Sequence, residues 1–391
     1  MNRGWKCALG AGGMAAVLLT AVSAAAAPAK LTIRTDVRLG YDINPFLAAG
    51  KDLASGYAEV VVSPQLSKKT AAGEVALSGY FDDTRFFQKY GNSAQYGGEL
   101  RADRRISPKL RVFGALRYDS EVIGQGGSTD ELAGGPDNTD VNLIGLRRRS
   151  NTFAANGGWE YRLTPKDTIS ADGGITDTRY ARRGGVDSRN IGGRVGWKHA
   201  ISPRTKVGLS GSVYYIDYDT PGLKTLIMEP DVTFSTELKH NWTFNAAIGI
   251  SFSKLYLPLP LLDGNSKGLS GSIDLCHKGA RDTFCLNAAR SISGSGAGGT
   301  TVRTQVGVNY RRRLTEQLSW AGSANYTRSR SQSNLLGTRE YVSARGGFDW
   351  LANRWLTLGV DGRYRDVFGG RQIRADYGGE ASATIFFPKR P

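Results

Sequence analysis

The chain has 391 residues, a formal net charge of +16 and a negative mean hydropathy. That size suits one large barrel or two ordinary domains, and the polarity excludes an α-helical membrane protein. Glycine is abundant (51 residues) and proline is not (13), which excludes a Pro-rich disordered chain.

Residues 1–26 read as a secretory signal peptide. Arg3 and Lys6 supply the positive start, residues 7–22 the apolar stretch, and Ala24, Ala25 and Ala26 the small-residue cleavage site. Pro28 disfavours a cut directly before it, so the expected cut follows Ala26 and the barrel occupies 27–391. Cys7 precedes the apolar stretch, so lipid attachment is not expected. Beyond it no run of 18 apolar residues occurs, so no helix is expected to span a bilayer. Export without a spanning helix leaves a periplasmic protein, a secreted one, or an outer-membrane β-barrel.

Short polar turn phrases then recur along the chain: SKKT at Lys69, SPKL at Ser107, TPKD at Thr164, SPRT at Ser202, and others near His240, His277, Thr315 and Asn353. From Thr164 the steps are 38, 38, 37, 38 and 38 residues. Ser107 to Thr164 is 57, one step plus an insertion of 19. Between turns the pattern has period two. Leu31, Ile33, Val37, Leu39 and Tyr41 alternate with Thr32, Arg34, Asp36 and Arg38; Leu356, Leu358 and Val360 alternate with Thr357 and Asp361. Such alternation predicts strands with one apolar and one wet face. Two strands, a tight turn and a longer loop fill one 38-residue unit, and about 10 residues cross a bilayer at a tilt. A β-propeller would need four strands per repeat, buried on both faces, and charges recur on one face of nearly every strand here. The predicted fold is all-β: a transmembrane antiparallel up-and-down β-barrel of about 18 strands. An even count puts both ends at one rim, expected to be periplasmic. Two further strands hidden in VNLIGLRRR are an open alternative.

The aromatics divide into two expected interfacial belts. Trp159, Trp197, Trp242, Trp320, Trp350 and Trp355 lie near the short turns. Tyr41, Tyr80, Tyr118, Tyr180, Tyr218, Tyr326 and Tyr364 gather near the longer loops. The last strand, from Tyr377 to Phe387, alternates in the same way, and its terminal aromatic resembles the C-terminal signal read by the barrel-assembly machinery, from which the PKRP tail beyond it departs.

GYDINPFL near an exported N-terminus, followed by hairpins with SPKL, TPKD and SPRT turns, resembles the β-barrel porin type 2 family. The resemblance implies an outer-membrane barrel, and for some members a link to exopolysaccharide operons and their export components. It carries no catalytic motif.

The predicted register turns Arg34, Arg38, Arg101, Arg303, Arg311, Arg345, Arg363, Arg365 and Arg374 inward, with Asp36, Asp361 and Glu380 among the carboxylates. They read either as cross-strand ion pairs that hold a hydrated wall open or as a selectivity surface. Arginines outnumber carboxylates on the C-terminal strands, which favours anions mildly. The 19 extra residues fall in a long loop within 120–150, with Glu121, Asp130, Glu131, Asp137 and Asp140 ahead of three consecutive arginines. It is either an exposed surface loop or a constriction folded into the lumen, with its acids facing the arginine wall. Arg147 to Arg149, with Arg182 and Arg183, are candidate lipopolysaccharide contacts or plain solvated charge.

Cys276 and Cys285 flank a turn in an oxidising compartment, so a disulfide is expected, and a metal site lacks the ligands. His199, His240 and His277 sit near turns without a serine and acid beside them, so no enzyme is expected. No cofactor is implied, and export makes nucleic-acid binding improbable despite the basic charge. The expected function is a passive outer-membrane channel for small hydrophilic or anionic solutes. The alternative is a barrel accessory to exopolysaccharide export without an open pore of its own.

Overall fold

A computed structural model describes residues 28–125, 140–181, 185–256, 264–331, 337–369 and 373–388. The signal segment lies outside them. Eighteen antiparallel strands follow in chain order: β1 (Lys30–Asp42), β2 (Ser55–Thr70), β3 (Gly73–Phe86), β4 (Asn92–Arg105), β5 (Leu110–Val122), β6 (Arg149–Arg162), β7 (Asp167–Tyr180), β8 (Ser188–Ala200) and β9 (Thr205–Tyr218). Then come β10 (Lys224–Glu237), β11 (Trp242–Tyr256), β12 (Gly264–Lys278), β13 (Asp282–Gly294), β14 (Thr300–Arg313), β15 (Leu318–Ser331), β16 (Thr338–Asn353), β17 (Leu356–Phe368) and β18 (Asp376–Phe387). Each pairs with its sequence neighbours, and β18 closes on β1 from Ile33↔Phe387 to Asp42↔Gly378. The result is a closed up-and-down barrel. Val141–Leu143 forms a short 3-10 helix, so VNLIGLRRR hides no extra hairpin.

The recurring turn phrases work by one local mechanism. Ser107 Oγ accepts the backbone N–H groups of Lys109 and Leu110, Thr164 Oγ1 those of Lys166 and Asp167, and Ser202 Oγ those of Arg204 and Thr205. Thr315 and the Asn353 side chain repeat the arrangement. Each side chain satisfies donors that the reversing backbone leaves free, which is why these residue types mark the turns. The eight turns at this rim have two to four residues; the nine connections at the other rim have 5 to 26. The start of β1 and the end of β18 lie on the short-turn rim.

The polarity is inverted relative to a soluble protein. Ile248 is 65% exposed, Leu269 70% and Val360 58%, all on the outer face. On the inner face Asp36 is 1% exposed, Arg38 4% and Glu380 5%. Apolar side chains tolerate such exposure around a whole ring only against lipid. No helix of the described residues is long and apolar enough to cross a membrane, which says nothing about strands.

The tryptophans lie at the short-turn rim as expected, with Trp350 47% and Trp159 39% exposed. The tyrosine belt is only partly as expected. Tyr41, Tyr118, Tyr326 and Tyr364 share the face of the exposed aliphatics. Tyr80, Tyr180 and Tyr218 point inward: Tyr80 hydrogen-bonds Asp119, a Cβ added at Gly296 would strike the Tyr180 ring, and Tyr218 donates to the Gly299 carbonyl. They mark loop docking inside the mouth, because position along a strand does not decide which face a residue takes.

Candidate channel and its constriction

The inner wall of β1, β2 and β16–β18 carries an interlocked charge network. Arg345 bonds Asp361 at 2.7 Å and Glu380 at 2.6 Å. Arg363 grips Asp42 through two nitrogens and reaches Glu380 at 3.5 Å. Arg38 lies 3.3 Å from Glu59 and 3.7 Å from Glu380. Tyr57 donates its hydroxyl to Glu380 at 2.6 Å and accepts from Arg363 at 3.1 Å. Buried charges persist only when paired and hydrogen-bonded, and here Glu380 is the hub for three guanidinium groups.

The geometry is a checkerboard. Arg345 sits directly opposite Arg363, and Asp361 directly opposite Glu380. Like charges face across each strand pair, a destabilising arrangement by itself. Each is compensated diagonally or from two strands away. Counting Arg34 with Asp36 (2.9 Å) and Arg365 with Asp376 (2.7 Å), the network holds five arginines and six carboxylates. The expected arginine surplus on the C-terminal strands is therefore neutralised where those strands meet β1 and β2. Gly40 makes room: a Cβ there would come within 2.4 Å of the Tyr57 ring.

The GYDINPFL phrase positions this wall. Asp42 binds Arg363, and Asn44 N–H donates to Asp376 at 2.8 Å. The Asn44 side chain braces the turn, donating to the Ala48 and Arg374 carbonyls and accepting from Ala48 N–H. The Pro45 carbonyl accepts from Arg365 at 2.8 Å. Phe46 and Leu47 are 0% and 1% exposed, Phe46 against Tyr57 and Phe86, Leu47 against Val141, Ile144 and Tyr341.

In the long connection between β5 and β6, the described residues from Asp140 onward fold inward. Asp140 accepts from Ser295 Oγ at 2.9 Å and from Gly296 N–H at 2.8 Å. Asn142 donates to Ser329 at 3.2 Å, and Arg339 donates to the Asn142 carbonyl at 3.1 Å. Back at β5, the Gly124 carbonyl accepts from Arg365. The anchor strand β15 lies nine places from β6 in a ring of eighteen, so this segment crosses the mouth from one wall to the opposite one.

The other expected residues divide as follows. Arg101 pairs with Glu99 at 2.8 Å on the inner face of β4, and Arg303 and Arg311 share the inner parity of β14. Arg374 is not on a strand; it lies in the connection between β17 and β18, exposed at the rim, so its expected place on the lumen wall is corrected. Glu121 is an exposed β5 residue 3.5 Å from the Tyr80 hydroxyl. Asp140 anchors the loop instead of facing the arginine wall. Asp130, Glu131 and Asp137 lie outside the described residues, as do Arg182 and Arg183. Arg147 stacks over Phe46 and Tyr90 at 4.6 and 5.0 Å, and Arg149 donates to Ser120 and the Ala94 carbonyl. Both are thus engaged within the protein. Cys276 and Cys285 are bonded, directly opposite across β12 and β13. Tyr377 and Phe387 point outward, 53% and 64% exposed. His199 bonds Asp167 at 2.8 Å, and no serine hydroxyl bonds a histidine among the described residues.

Sequence reasoning missed Asp42, Tyr57 and Glu59, while the inward parity of Asp376 was read correctly. Their inward parity was readable; their burial under the first connection was not.

No family model matches the chain, and no curated protein matches it. Among solved structures it is similar to OccK2 (OpdF) of Pseudomonas aeruginosa, at 8% identity and TM-score 0.48, covering 92% of this chain and 98% of that one. It is similar to P. aeruginosa OpdK, solved with vanillate, at 10% identity and TM-score 0.47, covering 92% and 98%. A BenF-like porin from Pseudomonas fluorescens Pf-5 has 9% identity and TM-score 0.47, covering 92% and 99%. The fold rests on the closed strand ladder, not on these likenesses.

Proposed function

We propose that this chain is a passive outer-membrane channel for small hydrophilic solutes. One observation carries the reading: around a closed ring of eighteen strands, apolar side chains face out and hydrogen-bonded charges face in. A barrel of this size encloses a lumen wider than its own side chains fill, and the segment anchored by Asp140 narrows its mouth. The short turns and both chain ends then face the periplasm, and the long connections face outside.

Solute preference follows from the checkerboard. Its opposed charges orient polar solutes without concentrating one sign, so a preference for anions is mild. The barrel-assembly machinery is the proposed reader of the strand ending at Phe387.

The test is conductance of the detergent-refolded protein in planar bilayers, with reversal potentials under a salt gradient. Discrete channel openings with a small anion preference are expected. Insertion without current would overturn the channel and favour the accessory barrel for exopolysaccharide export.

A further inference from the structure

The wall of the barrel is interrupted between β12 and β13. β12 pairs with β11 along nearly its whole length, but with β13 only from Gly271↔Arg290 to Lys278↔Thr283. Among the described residues, the stretch 264–270 has no partner on the β13 side.

The cause is visible on the other side of the wall. The far end of the β13–β14 hairpin tips into the lumen. Ile292 packs on Ile216 and Ile227, which lie on the inner faces of β9 and β10. Tyr218 donates to the Gly299 carbonyl, and Val186 N–H to the Gly296 carbonyl at 2.6 Å. The hairpin passes behind β11 and β12 to reach them, and burying Ile292 and Ile227 together offsets the shortened ladder.

What remains outside is a cleft of about 640 Å³. Lys267, Arg290, Arg328 and Arg330 line it, with Asn265 and Thr304 between them. Lys267 shares the outer face with Leu269, and Arg328 and Arg330 share it with Trp320 and Tyr326, so the cleft opens toward lipid. Arg290 donates to Thr304 at 3.1 Å, and Glu340 lies 3.5 Å from Arg328. Lys267 and Arg330 have no ion-pair partner among the described residues. A strand edge and four cations cannot rest against hydrocarbon, because unpaired backbone groups and charges each need a polar partner there.

We propose that this cleft holds the phosphorylated headgroup of a glycolipid from the outer leaflet. The inference rests on the membrane-barrel reading, which puts this rim outside. Phosphate oxygens accept from Lys267, Arg290, Arg328 and Arg330, and the headgroup's sugar hydroxyls meet the free edge of β12. A phosphate suits the site because it offers several charged acceptors to cations converging from β12, β13 and β15. The acyl chains continue along the exposed aliphatics below.

The experiment compares the wild-type chain with Lys267→Gln/Arg330→Gln by native mass spectrometry in detergent. The probes are bisphosphorylated lipid A, the same lipid without phosphates, and inorganic phosphate as competitor. Neither substituted side chain has an ion pair among the described residues, and heat-modifiable migration on a gel verifies folding. Bisphosphorylated lipid A should bind the wild type roughly tenfold or more tightly than the variant, the loss expected for two charge-assisted contacts. The unphosphorylated lipid should bind both equally. Equal binding of the phosphorylated lipid to both proteins overturns the proposal. Full displacement by inorganic phosphate overturns it in favour of a free-anion site. Conductance of the same wild-type preparation separates this outcome from failure of the channel reading, since a conducting barrel with no phosphate-dependent binding sinks only the cleft.

Discussion

Asp140 and Ser295 meet 155 residues apart in sequence, carboxylate to hydroxyl at 2.9 Å, on opposite sides of the barrel mouth from where the long connection begins. The contact ties that connection to the same β13–β14 hairpin that tips into the lumen. Asp140→Ala removes it together with the Gly296 N–H bond, and a hydrogen bond to a charged group contributes about 1.5–3 kcal/mol. Single-channel conductance of the variant should rise and become noisier. Deleting residues 126–140 should raise it further. Unchanged conductance in both would remove the loop from the constriction.

The hub at Glu380 makes a second prediction. Arg363→Met leaves Asp42 buried with its guanidinium gone, and breaking a buried pair in this way costs about 3–5 kcal/mol. Urea titration of the heat-modifiable band should show that loss. Asp42→Asn/Arg363→Met, which removes both charges, should recover much of it. No recovery would mean that Arg363 is held by Glu380 and Tyr57 more than by Asp42.

Inverted polarity is tested by two substitutions near each other on β11. Ile248→Arg puts a cation on the lipid face, at a cost of about 2–4 kcal/mol near the bilayer midplane. Asn245→Arg faces the lumen and should leave stability within about 0.5 kcal/mol, as for an ordinary surface change, while shifting the reversal potential toward anions. Equal destabilisation by both would contradict a lipid-facing exterior.

The disulfide closes the short ladder below the cleft. Cys276→Ser/Cys285→Ser should lower stability by about 2–3 kcal/mol, the chain-entropy expectation for so small a loop. The readout that matters is local. Amide exchange should rise in Gly271–Lys278, where the β12–β13 ladder has no pairing above it, and stay unchanged between β15 and β16. Uniform exchange across both ladders would show that the bond is no local staple.

Much of the architecture was legible because its causes are local. Alternating side chains report two environments, and a serine or threonine capping its own turn reports a reversal, so eighteen strands and the inward parity of Arg38, Asp361 and Glu380 followed from neighbours in the chain. The belt of Tyr80, Tyr180 and Tyr218 misled because proximity to a loop says nothing about the face a side chain takes.

What the sequence by itself determined is the barrel: strand number to within one hairpin, turn positions, and the alternation of an apolar with a polar face along each strand. The tertiary structure alone decided who partners whom. Asn44 binds Asp376 across 332 residues, Arg345 skips a strand to reach Glu380, and the β13–β14 hairpin leaves its place in the wall to pack on β9 and β10. Period-two patterning fixes orientation within a strand. Ring closure and loop docking join positions far apart in the chain, and their energies depend on distances that no local pattern contains.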